Sequence, residues 1–170
     1  MLPTSQKVER SIIINAPAAS IYSQLIKLDN FHKFSVWSQQ DSSAIYTLSG
    51  TDGTVGASTS WKGSPDISGD GKIEITALDL NKKVVHKLHF TKPKKGNAES
   101  TFTLLETNKA ITNVTWTFNM ATPRPWNIFN LLYSIDKEMG KDFEDGLTAM
   151  KTMIELSSAN TTPAKTPANH

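Results

Sequence analysis

Hydrophobic and polar residues alternate along several short stretches of the chain, a pattern that predicts β-strands with one buried face. KKVVHKLHF (residues 82–90) places Val84, Leu88 and the other apolar side chains on one face, together with His86. ITNVTWTFNM alternates in the same way and places Trp116 on its apolar face. Short turns rich in Gly, Pro, Asn or Asp separate about seven such stretches, which favours antiparallel pairing. They read VERSIIIN, AIYTLSG, ASTSWKG, GDGKIEITALD, KKVVHKLHF, STFTLLET and ITNVTWTFNM.

A second period, of three to four residues, marks a long helix towards the C-terminal end. Apolar residues recur at this spacing along residues 128–154, which is typical of an amphipathic helix. Pro125 suits a first helical position, so we expect a helix from Pro125 to about Leu156, about 45 Å long. Two short helices are expected after the first strand, one following Pro17 and one following Asp29.

Two glycines interrupt the long helix, although Gly in a helix interior costs about 1 kcal/mol relative to Ala. Gly146 falls in the middle of the apolar stripe and Gly140 at its edge. We expect Gly146 to present bare backbone to the sheet, which either allows a close approach or leaves a hollow. Gly140 should let the helix bend along a curved sheet.

The chain has the size and composition of one globular domain. Its 170 residues are 38% hydrophobic and 20% charged, which allows one sizeable core. Only the end changes in character, because SSANTTPAKTPANH has no aromatic and no large aliphatic side chain. We expect a single domain over residues 1–156 and a flexible polar tail over residues 157–170.

Charge and cysteine content narrow the classes of function. Lys and Arg total 18 and Asp and Glu 16, giving a net charge of +2, so nothing points to a nucleic-acid partner. The chain has no cysteine, which removes disulfides and thiolate chemistry from consideration. No stretch approaches a membrane span and no secretory signal is evident, so we expect a cytoplasmic location without membrane insertion. The oligomeric state is left open.

Five stretches taken in order resemble a known family. INAPAASIY, GTVGASTSWKG, SGDGKIEITALD, NVTWTFNMATPRP and IDKEMGKDFEDGLTAMK are similar in order and spacing to the polyketide cyclase/dehydrase and lipid transport branch of the START-like (SRPBCC) superfamily. The resemblance covers roughly residues 7–156. It implies an α+β helix-grip fold, in which a curved antiparallel sheet wraps around a long C-terminal helix and encloses an apolar cavity.

Strand alternation and the helix stripe together nominate the residues that face this cavity. Each of them could equally be ordinary core, since aromatic stripes usually are, but Gly146 without compensating bulk favours some internal space. The candidate ligand-binding residues are Trp61, His86, Phe90, Phe102, Trp116, Phe118, Leu132, Met139, Phe143 and Leu147.

His86 and Asp136 are the candidates for acid–base chemistry. His86 shares the apolar face of its strand, and Asp136 lies on the shoulder of the helix stripe. If both face one cavity, an imidazole and a carboxylate could orient a carbonyl or hydroxyl group or transfer a proton. A buried structural histidine and a solvated aspartate are the alternatives. No spacing typical of a zinc site and no phosphate-binding loop is found, so neither a metal nor a cofactor is expected.

Three functions remain open at this point. The first is binding of a small hydrophobic ligand, such as a lipid, a sterol or a polyketide-like molecule, in the cavity. The second is a cyclase or dehydratase that uses the same cavity. The third is a protein-interaction domain without a ligand, which would show a filled cavity and an exposed apolar patch.

Overall fold

The alternating stretches form one antiparallel sheet. The computed structural model describes residues 4–121 and 134–159, and within them seven strands are present. In chain order these are β1 (Ser5–Ile14), β2 (Ile45–Ser49), β3 (Ser58–Lys62), β4 (Asp70–Asp79), β5 (Lys83–Lys92), β6 (Gly96–Asn108) and β7 (Ile111–Ala121). The strand order across the sheet is β1-β7-β6-β5-β4-β3-β2, so the first and last strands pair while the others follow as hairpins. The predicted helix-grip class is confirmed.

Irregular pairing accompanies the curvature of the sheet. The register of β4 and β5 shifts between Ile75 and Ala77, which leaves Thr76 as an extra residue. A bulge of this kind bends the strand that carries it and increases the local twist. The concave face can therefore surround other elements of the fold.

Short helices follow β1 and a long helix ends the described chain. They are α1 (Ala18–Leu25), α2 (Leu28–Phe34), α3 (Val36–Gln40) and α4 (Ile135–Ala159). The predicted second short helix is divided at Ser35, whose backbone is extended, with φ −66° and ψ 120°. None of the helices in the described part of the chain is long and apolar enough to cross a lipid bilayer.

The long helix begins later than the sequence pattern suggests. Ser134 is not helical, and its carbonyl oxygen accepts hydrogen bonds from Lys137 and Glu138 at 3.2 Å. The N–H of Ile135 donates to the side-chain oxygen of Gln6 on β1 at 2.8 Å. A helix that runs through Ser134 was therefore wrong, because apolar periodicity does not report the residue at which a helix begins.

The two ends of the predicted helix compare differently with the structure. Residues 122–133, including the predicted helical start and Leu132, lie outside the described residues. At the other end α4 continues to Ala159, three residues into the segment predicted as a tail. Residues 160–170 also lie outside the described part.

The two helix glycines lie against different neighbours. A Cβ on Gly146 would lie 3.1 Å from the Trp116 ring and 3.2 Å from the carbonyl oxygen of Phe34. Gly146 therefore lets α4 approach β7 and α2 closely, which is the first of the two expected alternatives. The hollow expected at Gly146 was wrong, because Trp116 and the Phe34 backbone occupy that position and Gly146 does not line the cavity described below. Gly140 instead lies beneath the guanidinium of Arg10, which a Cβ would meet.

Candidate ligand-binding cavity

A cavity of about 1290 Å³ lies between the concave face of the sheet, the short helices and α4. Ligand pockets in proteins usually measure roughly 300–1,000 Å³, so the space accommodates a sizeable molecule. Most of its wall is aromatic or aliphatic, contributed by Phe31, Trp37, Trp61, Ile73, Leu88, Phe90, Trp116, Phe118, Met120, Ile135, Met139 and Phe143.

Trp116 forms the fixed inner wall. Its side chain is almost fully buried, and its ring stacks on Phe102 with centroids 4.9 Å apart and contacts Phe143 at 4.3 Å. The indole N–H donates to Ser100 Oγ at 2.8 Å. With two aromatic neighbours and its polar atom engaged, the ring has little freedom to move.

Trp61 occupies the wall nearer the mouth because β4 carries a glycine beside it. Gly71 is the cross-strand neighbour of Trp61, and a Cβ on Gly71 would lie 2.5 Å from the Trp61 ring. The indole N–H donates to the Ser68 carbonyl at 3.0 Å. Phe90 meets the ring edge-on at 5.9 Å.

The buried carboxylate of Asp41 holds the loop between β3 and β4 at the entrance of the cavity. Asp41 follows α3 and is 3% exposed. It accepts hydrogen bonds from the Ser43 backbone and hydroxyl, from Ser64 N–H at 2.8 Å and from the Ser68 hydroxyl. These bonds, with those from the Ser43 and Ser68 hydroxyls foremost, lower the pKa of Asp41 to about 2. The carboxylate is therefore charged at neutral pH and ties the loop between β3 and β4 to the helical layer.

One pair of polar side chains, His32 of α2 and Tyr46 of β2, lies on the cavity wall. His32 and Tyr46 both line the cavity, and their rings lie 3.8 Å apart. Burial lowers the pKa of His32 to about 4, so the imidazole is neutral at physiological pH. Its Nε2 is buried and has no hydrogen-bond partner among the residues that the structure describes.

Sequence comparison assigns the family. The family model described as "Polyketide cyclase / dehydrase and lipid transport" matches residues 5–155. The chain belongs to this family. The START-like resemblance of the sequence is thereby confirmed. No curated protein sequence matches the chain significantly.

Solved structures that resemble this family member share its fold at low sequence identity. Norcoclaurine synthase from Thalictrum flavum, in complex with dopamine and hydroxybenzaldehyde, superposes with a TM-score of 0.63 at 11% identity, covering 94% of this chain and 90% of the other. The Aha1 dimer from Colwellia psychrerythraea gives 0.58 at 19% identity, covering 88% and 96%. A protein from Thermobifida fusca gives 0.62 at 16% identity, covering 87% and 92%. At these identities the likeness concerns the fold alone.

Nine of the ten nominated ligand-binding residues fall among the described residues, and six of the ten lie on the cavity wall. These are Trp61, Phe90, Trp116, Phe118, Met139 and Phe143. Phe102 and Leu147 are buried in the core behind the wall, and Leu132 lies outside the described residues. Strand alternation identifies the correct face, but it does not separate the side chains at the surface of a cavity from those packed behind it.

His86 is sealed in the core next to the cavity. It is fully buried, and neither ring nitrogen has a hydrogen-bond partner within the described ranges. The rings of Phe31 and Phe102 lie 5.8 Å and 6.2 Å from it. Burial lowers the pKa of His86 to about 4. The structure thus places a neutral, unpaired imidazole behind Phe31, which itself lines the cavity.

Asp136 lies away from the cavity wall and is committed to an ion pair. Its carboxylate accepts a hydrogen bond from Arg10 Nη1 at 2.7 Å, while Glu144 accepts one from Arg10 Nε at 2.9 Å. The bond from Arg10 lowers the pKa of Asp136. The structure does not bring His86 and Asp136 together, because the shoulder of the helix stripe faces β1.

The sequence analysis missed the contribution of the short helices and the edge strand to the wall. Phe31, His32, Trp37 and Tyr46 all line the cavity. Phe31 and Trp37 lie in and just after the short helix expected after Asp29, but nothing in their spacing shows which way these few turns face. Aromatic residues clustered in NFHKFSVW are the one available signal.

No metal centre is evident in the described residues. Across residues 4–121 and 134–159, no group of three His, Cys, Asp or Glu side chains could hold a metal ion. The carboxylates of Asp136 and Glu144 are engaged with Arg10, and that of Asp41 with serine donors.

Proposed function

We propose that the protein binds a small, mostly apolar molecule, such as a lipid, a sterol or a polyketide-like compound, in the cavity between the sheet and α4. The observation that carries this proposal is the large space lined by aromatic and aliphatic side chains. Transfer of apolar surface from water into such a space is favourable by about 25 cal/mol per Å². Trp61, Phe90, Trp116, Phe118, Met139 and Phe143 would contact the ligand.

Pre-organisation also supports binding. Trp116 is held by stacking and by its bond to Ser100, and the mouth loop is held by Asp41. A wall that is already ordered loses little conformational entropy when a ligand enters. The family description, which includes lipid transport, agrees with this class of ligand.

Catalysis by the same cavity receives less support from the geometry. The two acid–base candidates are apart, since Asp136 pairs with Arg10 and His86 is sealed behind Phe31. Norcoclaurine synthase, a structural relative, was solved with dopamine and hydroxybenzaldehyde, so the fold can host an enzyme. A cyclase or dehydratase is the second candidate for this chain. The open cavity argues against the third, an interaction domain with a filled interior.

A cavity-filling substitution tests the proposal. Met139 lines the cavity from α4, so Met139→Trp should reduce the space beside α4 and weaken binding of Nile red, a neutral apolar dye. Leu156→Trp is the matched control, because Leu156 on the same helix is 62% exposed. We expect the control to bind the dye like the wild type.

Mass spectrometry of the purified protein provides the complementary test. A small apolar compound released at stoichiometric amounts on denaturation would identify the class of ligand. If the wild-type protein neither carries such a compound nor binds Nile red or any member of a lipid and sterol panel, the proposal is wrong.

A further inference from the structure

The mouth of the cavity carries a local excess of positive charge. Lys92 at the end of β5 and Lys94 and Lys95 in the turn between β5 and β6 all line the cavity and are exposed. Asp66, across the mouth, is the one acidic side chain among the described residues that line it. The rest of the wall is apolar or neutral at pH 7, so the charge is confined to the rim.

Two of the three lysines have no acidic partner. Lys92 lies 3.3 Å from Asp70 and is thereby partly neutralised. Lys94 and Lys95 form no ion pair with any residue of the described part of the chain.

The lysine-bearing turn is supported by the loop that Asp41 holds. Gly69 packs directly against the carbonyl of Lys92, where a Cβ would not fit. The Thr91 hydroxyl donates to the Asp70 carbonyl at 3.1 Å, and Trp61 binds the Ser68 carbonyl at 3.0 Å. The base of the turn thus has a defined position relative to the apolar wall.

We propose that the ligand is an acidic amphiphile, whose apolar body occupies the cavity while its carboxylate, sulfonate or phosphate group meets Lys94 and Lys95 at the rim. This inference rests on the proposed function. An anionic group held at the rim stays hydrated and avoids the large cost of burying a charge in an apolar wall. Exposed charge pairs of this kind contribute modestly, so the lysines select among apolar ligands and the cavity supplies most of the affinity.

A pair of probes that differ only in charge tests this selection. Laurate and 1-dodecanol share a twelve-carbon chain, and each can be titrated against bound Nile red. We expect Lys94→Gln/Lys95→Gln to weaken laurate binding by about three- to tenfold and to leave dodecanol binding unchanged. The preference for laurate should decline in high salt, because exposed charges are screened.

The matched control is Lys83→Gln/Lys109→Gln, which removes the same charge at the far ends of β5 and β6. Both lysines are exposed, and neither lines the cavity. This variant should retain the wild-type affinity for laurate. An equal loss in both variants would mean that only net charge matters, and it would overturn the proposal.

The outcomes separate this inference from the function on which it rests. If Nile red, laurate and dodecanol all fail to bind, the acidic-ligand inference is wrong, and the proposed function is wrong as well if no compound copurifies and the lipid and sterol panel also fails. If dye and dodecanol bind and the rim variant leaves laurate affinity unchanged, the acidic-ligand inference alone is wrong.

The same lysines could bind an acidic lipid headgroup in a bilayer. An experiment with vesicles distinguishes such a membrane surface from a free acidic ligand. Wild type and rim variant are sedimented with phosphatidylglycerol vesicles and with neutral phosphatidylcholine vesicles. Loss of vesicle binding in the rim variant, with unchanged laurate affinity, would assign the lysines to a membrane surface and overturn the proposal. Reduced laurate affinity in vesicle-free solution supports it.

Discussion

At the scale of single residues, His86 is the side chain whose environment is hardest to reconcile with stability alone. A buried polar atom without a partner costs roughly 1–3 kcal/mol, and both ring nitrogens of His86 lack partners among the described residues. Phe31 separates the ring from the cavity. The imidazole therefore lowers stability unless a ligand or an ordered water reaches it.

Replacement of His86 by leucine should stabilise the protein. Leucine has a similar volume and no polar atom, so we expect the free energy of unfolding to rise by about 1 kcal/mol, measured by urea denaturation. His89→Leu is the control, because His89 lies on the outer face with Nδ1 2.6 Å from Asn97 Oδ1. A loss of stability in H86L would show that the imidazole has a partner in solution.

Stability should also fall as the pH decreases from 6.5 to 4. Burial lowers the pKa values of His86 and His32 to about 4, whereas an unfolded histidine titrates near 6.5. Between these values the unfolded chain binds protons that the folded chain does not, so protonation favours unfolding. His86 alone should account for about 3 kcal/mol across this window.

Urea titrations at pH 7, 5.5 and 4 measure this slope. H86L should show a smaller decline than the wild type. Asp41, whose pKa is lowered to about 2, loses its contribution only as the pH falls from about 4 towards 2, so its effect occupies a separate window. Equal slopes in the two proteins would contradict the assignment to His86.

At the scale of elements, the contact between α4 and the sheet depends on which residues lie beneath the two glycines. Gly146 faces Trp116 and the α2 backbone, neither of which can give way easily, because Trp116 is held between Phe102 and Phe143. Gly140 faces only the end of the flexible Arg10 side chain. Glycine therefore allows close packing at position 146 and leaves room for the Arg10 ion pairs at position 140.

Alanine at these two positions should have different effects. Gly146→Ala gains about 1 kcal/mol of helix propensity but forces a methyl group against Trp116, and overpacking typically costs 1–3 kcal/mol. We expect the free energy of unfolding to fall by about 1 kcal/mol. Gly140→Ala should change it by less than about 0.5 kcal/mol, since the propensity gain offsets a weakened Arg10 bridge. Urea denaturation of both variants checks this, and a stabilised G146A would refute the packing argument.

At the scale of the whole molecule, the fold combines a rigid aromatic wall with unfilled space. Empty space in a protein interior forfeits packing contacts, so the apo protein is less stable than the same chain with the cavity occupied. Binding and stability are therefore linked.

A bound ligand should raise the melting temperature. At a free concentration of 100 times Kd, a ligand adds about 2.7 kcal/mol to the free energy of unfolding, or roughly 5–10 °C for a chain of this size. Calorimetry with laurate or a panel lipid measures the shift. Met139→Trp should show a smaller ligand-dependent shift, and a shift equal to that of the wild type would place binding outside the cavity.

The sequence alone determined the strands, the concave face and the helix that opposes it. Alternation with period two and recurrence every three to four residues report burial along a single element, and β5, β7 and α4 have long, uninterrupted patterns of this kind. Gly146 was placed correctly on the buried face for the same reason, because its place in the stripe is a property of the helix itself, but only the tertiary structure showed a close contact there and no hollow.

Only the tertiary structure decided what each buried or flanking residue meets. Periodicity shows that Phe102 is buried but not that Trp116 stands between it and the cavity, and it puts Asp136 on the helix shoulder without showing that Arg10 of β1 lies there. The lysines of the β5–β6 turn are an ordinary solvated turn in sequence, and the curvature of the sheet brings them to the rim of the cavity. These contacts join residues that are far apart in the chain, so patterns within a short stretch of sequence cannot predict them.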